Sequence, residues 1–262
     1  MSNGALQVAR TGLDAQNTKM RVIANNLANV NTTGFKRDRA SFETLAYQQR
    51  IMPGAQSDAQ NEYATGLALG TGVQVAGTMK IDTQGTLQPT GNAFDLAIEG
   101  AGYFQIEMAD GTTAYTRAGN FARNGEGQLV TQEGMPLIPS IQVPEGATNI
   151  TIGADGTVSA TLAGEAEATE LGKIETANFT NPAGLRSIGS NLLVETGSSG
   201  APIVGAAGEA GRGTLRQGSL EGSNVNIVEE LVDMIETQRA YEVNSKMIQA
   251  TDEMLQFANQ QL

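Results

Sequence analysis

From Ile227 onward an apolar residue returns at every seventh position: Ile227, Met234, Tyr241, Ile248, Leu255 and Leu262. A period of seven is the spacing at which α-helices meet along a seam. A helix of this span would run about 55 Å at 1.5 Å per residue. A second apolar stripe, Ala240, Val243, Met247, Ala250, Met254 and Phe257, occupies another face. Asn226 with Glu229 offers a capping pair, and the acidic Glu229, Glu230 and Asp233 suit the positive end of the helix dipole. Glu242 and Lys246 add a favourable i, i+4 pair. The opposite end of the chain repeats the pattern. Leu6, Leu13, Met20 and Leu27 lie seven apart, with Ala9, Ile23 and Val30 three residues on and Gln16 as the exception. Asn31-Thr-Thr-Gly34 is the expected stop, because glycine adopts the left-handed conformation that ends a helix.

An apolar stripe has to be covered. The two helices can each bury one seam against the other as a coiled-coil-like pair, but the second stripe of the C-terminal helix is then left over. Burying one Leu or Met side chain contributes roughly 1.5–3 kcal/mol, so about a dozen of them left in water would be a severe liability. The expected cover is other copies of the chain. The expected assembly interface comprises Leu6, Leu13, Met20, Ile23, Leu27, Ile227, Leu231, Met234, Tyr241, Ile248, Leu255 and Leu262. Asn25, Asn26 and Asn29 belong to it if their amides fix the register between subunits; the competing expectation is that they cap and fray a helix end. The competing expectation for the whole chain is an ordinary α+β protein whose helices fold back onto their own β domain.

Between the helical ends the period changes. Phe94-Asp-Leu-Ala-Ile-Glu and Gly102-Tyr-Phe-Gln-Ile-Glu alternate apolar and polar residues, and turn dipeptides follow at Asp110-Gly111, Asn124-Gly125, Glu133-Gly134 and Asp155-Gly156. Residues 70–218 are therefore expected to form an antiparallel β domain of many short strands. Residues 35–69 fit neither zone. They begin basic, at Lys36, Arg37 and Arg39, turn polar through several glutamines, and break at Pro53-Gly54. An extended connector or long hairpin is expected here, its basic residues either contacting acidic neighbours or standing in solvent. The expected class is α+β: an inner helical domain from 1–34 and 219–262, the connector, and the central β domain.

Chemistry is narrowed by what is missing. The chain has no cysteine and no histidine, which removes disulfides, His-based nucleophile arrangements and the usual zinc sites. A net charge of −12 argues against nucleic acid as a partner. No apolar run reaches the roughly 18 residues of a membrane helix, so direct membrane insertion is not expected. No cleavable signal is visible at the N-terminus. Asp95 and Glu99 are expected as solvated charges on one exposed strand face rather than a hydrolytic pair. Gly205–Gly213 lacks the ending of a phosphate loop and reads as a plain loop. No cofactor or metal is expected. A β-rich secreted binding module, adhesin-like, is the alternative from another functional class.

Three ordered stretches carry a family likeness. They are Ala24-Asn-Asn-Leu-Ala-Asn-Val-Asn-Thr-Thr-Gly-Phe-Lys-Arg37, then Phe94-Asp-Leu-Ala-Ile-Glu-Gly-Ala-Gly-Tyr-Phe-Gln-Ile106 with Tyr115-Thr-Arg-Ala-Gly-Asn-Phe121, and finally Gly218-Ser-Leu-Glu-Gly-Ser-Asn-Val-Asn226 with Gln238-Arg-Ala-Tyr-Glu-Val-Asn-Ser-Lys246. Together they resemble the rod and hook family of the bacterial flagellum. The length and the connector from Tyr47 to Tyr63 resemble the distal section of the rod more than a proximal rod or hook-like axial subunit. The resemblance implies a non-enzymatic subunit of a helical tubular homo-oligomer, with terminal helices inside and β domains outside, that transmits torque from motor to hook. It also implies neighbours: proximal rod proteins, the hook protein, the rod cap, and the P-ring and L-ring proteins. It places the chain in the basal body, from periplasm to outer membrane, exported by the flagellar type III apparatus without a cleavable signal.

Overall fold

The structure is a computed structural model that describes residues 3–58, 61–162 and 167–260. The chain divides into two compact units: one gathers both terminal helices with residues 38–79, the other residues 28–37 and 80–226. No helix among the described residues is long and apolar enough to cross a membrane.

In the first unit, α1 spans Asn3–Ala28 and α2 spans Ile227–Gln260. The first helix stops at Ala28, just ahead of the Asn31–Gly34 stretch expected to end it. Turns replace it, with the Thr32 N–H donating to the Asn29 carbonyl at 3.1 Å and the Phe35 N–H to the Thr32 carbonyl at 3.2 Å. Asparagine and threonine favour such local turns over continued helix. The two helices lie side by side and antiparallel. Asn26 Nδ2 donates to the Glu230 carboxylate at 3.2 and 3.3 Å, Lys19 Nζ is 3.9 Å from Asp233 Oδ1, and a Cβ built on Gly12 would sit 3.0 Å from Asn244 Nδ2. As the number falls along α1 it rises along α2. Small residues permit the approach: Ala9 and Ala15 are buried on α1, beside Ile23.

Residues 38–80 form a nested ribbon. Its strands are β1 (Asp38–Thr44), β2 (Gln48–Ile51), β3 (Gln56–Asp58), β4 (Asn61–Glu62), β5 (Leu67–Leu69) and β6 (Val73–Lys80). β1 pairs with β6, β2 with β5 and β3 with β4. The return strand reaches Lys80, so strand pairing of this ribbon extends about a decade of residues past the boundary expected near Gly70.

The second unit continues with β7 (Leu87–Pro89), β8 (Leu96–Glu99), β9 (Tyr103–Glu107), β10 (Thr113–Thr116), β11 (Ala122–Arg123), β12 (Leu129–Val130) and β13 (Leu137–Ile138). Beyond these come β14 (Ala147–Ile152), β15 (Thr157–Leu162), β16 (Thr169–Lys173), β17 (Glu175–Asn178), β18 (Arg186–Gly189), β19 (Leu192–Val194), β20 (Ile203–Ala206), β21 (Thr214–Gln217) and β22 (Ser219–Glu221). The main sheet runs β18-β19-β10-β9-β17-β20, with β13 also on β9, and its ladders are antiparallel. A smaller sheet is ordered β14-β15-β16, while β21 pairs with β8 and β22 with β7. The alternation read from the sequence is what buries Leu96, Ile98, Phe104 and Ile106 in one core. A second cluster holds Tyr103, Tyr115, Phe179 and Leu193, where Tyr115 and Phe179 meet edge to face at 4.8 Å.

Candidate functional site

Two features of this chain combine unusual chemistry with position, one in each unit. The first is a buried ion cluster. Glu221, on β22, is 0% exposed, Arg117 3% and Lys36 5%. Lys36 Nζ donates to Glu221 Oε1 at 2.7 Å and to the Thr83 carbonyl at 2.7 Å, and lies 3.9 Å from Asp82 Oδ1. The Gly85 N–H also donates to Glu221 Oε1, at 2.9 Å. Arg117 Nε is 3.2 Å from Glu221 Oε2, and its two terminal nitrogens donate to the Gly102 and Gly100 carbonyls at 2.8 Å each. Two cations thus face two carboxylates, the balance that burial of charge requires. Burial, helped by the like charge of Arg117, lowers the Lys36 pKa despite its two carboxylate neighbours. Burial, then the Asp82 carboxylate, pushes the Tyr103 hydroxyl up.

Around this cluster three strands of backbone are laced together. Asn224 Oδ1 accepts from the Arg37 N–H at 2.8 Å, while its Nδ2 donates to the carbonyls of Ile81 (2.8 Å) and Thr83 (3.0 Å). The Ile81 N–H donates to the Arg37 carbonyl at 2.9 Å and the Gly34 N–H to the Glu221 carbonyl at 2.7 Å. Asn191 Nδ2 donates to the Thr33 carbonyl at 2.7 Å. The chain passes between its two units after 27, 37, 79 and 226. Within the second unit, the cluster and these bonds tie residues 34–37, 81–85 and 221–224 to one another. Lys36, Arg117 and Glu221 are enclosed, while the Asp82 side chain is 22% exposed.

Lys36 is accordingly not available to acidic neighbours: it is buried in its own unit, which corrects the expectation of a connector contact. The partners are distant in sequence, and no local pattern announces them. Arg37 is half-buried and Arg39 exposed. Asp95 also departs from expectation. It is buried and accepts from Thr90 Oγ1 at 2.6 Å and Asn92 Nδ2 at 3.1 Å, while Glu99 is exposed.

The second feature is the surface of α2. The residues it encloses most are Glu230 and Thr237, with Asn244 and Thr251 half-buried. These too are seven apart, and they are polar. Of the apolar positions read from the sequence, Met234 and Ile248 are half-buried on the flank of this seam, whereas Ile227, Leu231 and Tyr241 are exposed. Val228, Val232, Ile235, Val243, Met247, Met254 and Phe257 are exposed as well. On α1, Ile23 is buried and Leu6, Leu13, Met20 and Leu27 are half-buried. Asn26 is buried and bonds both ways with the Asp38 backbone, at 2.9 Å each; Asn25 is exposed and Asn29 half-buried. The side chain of Leu255 and the whole of Leu262 lie outside the described residues.

The comparisons with known proteins agree in order and position. Residues 6–36 match the family described as flagella basal body rod protein, residues 97–160 the flagellar hook protein FlgE/F/G D1 domain, and residues 216–261 the flagellar basal body rod FlgEFG protein C-terminal region. The flagellar basal-body rod protein FlgG of Buchnera aphidicola subsp. Acyrthosiphon pisum is 49% identical over 98% of each chain. That of Agrobacterium fabrum is 48% identical over 98% of this chain and 99% of its own. That of Bacillus subtilis is 40% identical over 94% of each. With identity sustained along nearly the whole length, the chain belongs to the FlgG family of flagellar basal-body rod proteins, and its role is that of a structural rod subunit.

Proposed function

We propose that this subunit polymerises into a tube through the apolar side of α2, and that the tube is the distal rod carrying torque from motor to hook. The observation that carries the reading is the inversion on α2. The helix turns polar side chains toward its own chain and leaves Leu231, Val232, Ile235, Val243, Met247 and Phe257 exposed. A surface of that kind marks an interaction site. Helices from neighbouring copies supply its cover, in a coiled-coil-like inner layer. Tyr47, Met52, Tyr63, Leu67 and Leu69 on the ribbon are exposed too. A two-stranded ribbon is marginal alone in water, so neighbouring copies pack on it as well. In this scheme the ion cluster fixes the strands through which load passes from one unit to the other. The neighbours along the axis are the proximal rod proteins, the hook protein and the rod cap, with the P-ring and L-ring proteins around the tube. The subunit reaches its place, between periplasm and outer membrane, through the flagellar export channel.

The test is sedimentation and electron microscopy of the purified full chain and of Ile235→Asp. The expected outcome is tubes from the unaltered chain and monomers from the variant, with thermal midpoints of the two monomers matching, because exposed substitutions shift stability by only about 0.5 kcal/mol. Tubes from the variant at unchanged concentration would refute the role of α2.

A further inference from the structure

In the second unit, large apolar side chains are exposed at only three described positions, Ile188, Ile203 and Val204. All three lie on β18 and β20, the two end strands of the main sheet. Among the described residues nothing pairs with the outer side of either strand. Exposed edges are ordinarily blunted by charge, because a bare edge recruits another strand. Here the run from Thr196 to Gly208 carries no charged residue. The charges near the two edges are Arg186 at the start of β18 and Arg212, whose Nε donates to the Ala206 carbonyl at the end of β20 at 3.0 Å. β18 also walls an open groove of about 770 Å³. In that groove the amide nitrogen of Gln105 is buried and has no acceptor, an arrangement that costs free energy unless something supplies one.

We infer that the β20 edge of one copy pairs with the β18 edge of the next, extending the sheet from subunit to subunit. The occupant of each edge is a second copy of this chain because, in the polymer proposed above, the neighbour presents the other edge, and each edge shows exposed apolar side chains: Ile188 on β18, Ile203 and Val204 on β20. The two edges are different surfaces at opposite ends of one sheet, so the contact is heterologous and repeats without closing, as an open polymer demands. A polar group reaching over β18 from the neighbour supplies the acceptor for Gln105. This pairing rests on the polymer reading above and names a contact between β units that the α2 face does not provide.

The chain has no cysteine, which makes disulfide trapping unambiguous. Full-length Ile188→Cys and Val204→Cys chains are polymerised separately and as an equal mixture, then oxidised and run on denaturing gels. The expected result is covalent dimers in the mixture, at least tenfold above either variant alone. Dimers from Val204→Cys alone would mean a two-fold contact and overturn the heterologous pairing. Tubes without dimers in the mixture would overturn edge pairing while leaving the polymer intact, as would a ring or other protein occupying these edges. Failure of the unaltered chain to polymerise at all would instead remove the polymer reading and this pairing with it. As a second readout, Ile203→Lys added to the Val204→Cys chain is expected to cut dimer yield in the mixture at least tenfold, since a charge on the pairing edge opposes strand addition.

Discussion

Gly34 was expected to end a helix, and the structure gives it a tighter duty. Its φ is +68°, and a Cβ there would lie 2.6 Å from both the Arg117 carbonyl carbon and the Ala118 nitrogen. Main chain cannot step aside as a flexible side chain can. Gly34→Ala is expected to cost roughly 2–6 kcal/mol, from backbone strain plus overpacking, read as a fall in the urea midpoint. Pro53-Gly54, with open space around the would-be Cβ of Gly54, carries no such steric demand. The ion cluster offers a pH experiment. Tyr103 is raised above its ordinary value of 10.0. The folded chain therefore keeps a proton that the unfolded chain gives up above about pH 10, and stability falls as pH rises past that point. Lys36 acts in the opposite sense: its pKa is lowered from 10.5, so between its lowered folded value and 10.5 the unfolded chain binds more protons than the folded one, and stability rises with pH across that window. Above 10.5 the Tyr103 slope dominates, with a smaller one of the same sign from Tyr115, raised by burial and Glu195. Tyr103→Phe is expected to flatten the loss of denaturation midpoint above pH 10.5 without abolishing it. An unchanged slope would mean the hydroxyl ionises normally in the fold.

At the scale of elements, the seven-residue period was legible but the side it faces was not. Periodicity reports that two sets of positions, Ile227-Met234-Tyr241-Ile248 and Glu230-Thr237-Asn244-Thr251, recur together along one helix. It does not report which set meets a neighbour, because that depends on what the neighbour offers. Here α1 offers Asn26, Lys19 and the open site at Gly12, so Glu230, Asp233 and Asn244 turn toward it. Polar seams of this kind fix register at some cost in stability. Asn26 ties three elements of one unit: its amide bonds the Glu230 carboxylate on α2 and the Asp38 backbone at the start of β1. Asn26→Ala removes these bonds and is expected to cost about 2–3 kcal/mol, charged hydrogen bonds being the stronger ones. Circular dichroism at 222 nm during urea titration is the measurement, since the helices carry most of that signal. Loss of helix at lower urea than the loss of near-ultraviolet tyrosine signal is the expected pattern. The strand region was read more accurately for a physical reason. All four turn dipeptides named from the sequence sit at chain reversals between consecutive strands, β9/β10, β11/β12, β12/β13 and β14/β15. Turn chemistry is local, whereas the pairing of β17 with β9, or of β22 with β7, joins segments that share no local signal.

For the whole molecule, charge decides what kind of attraction can hold copies together. Each subunit brings a net charge of −12 to the polymer, and bringing such subunits into contact is opposed by their mutual repulsion. Lys36 and Arg117 cannot offset this, because Glu221 and Asp82 already neutralise them inside the chain. An assembly held by the apolar side of α2 and by strand edges should therefore strengthen with salt. The screening length falls from about 10 Å at 0.1 M to about 3 Å at 1 M, which removes repulsion while leaving apolar burial intact. The critical concentration for polymerisation is expected to drop by ~3–10-fold between 0.05 and 0.5 M NaCl, an effect of the size screened surface charges produce. An assembly held by ion pairs between Arg37 or Arg39 and acidic neighbours would respond with the opposite sign, since screening weakens attraction between exposed charges as readily as repulsion. Light scattering across a salt series at constant pH separates the two. A critical concentration that rises with salt would show that exposed charge pairs, and not the apolar stripes of the terminal helices, set the strength of the rod.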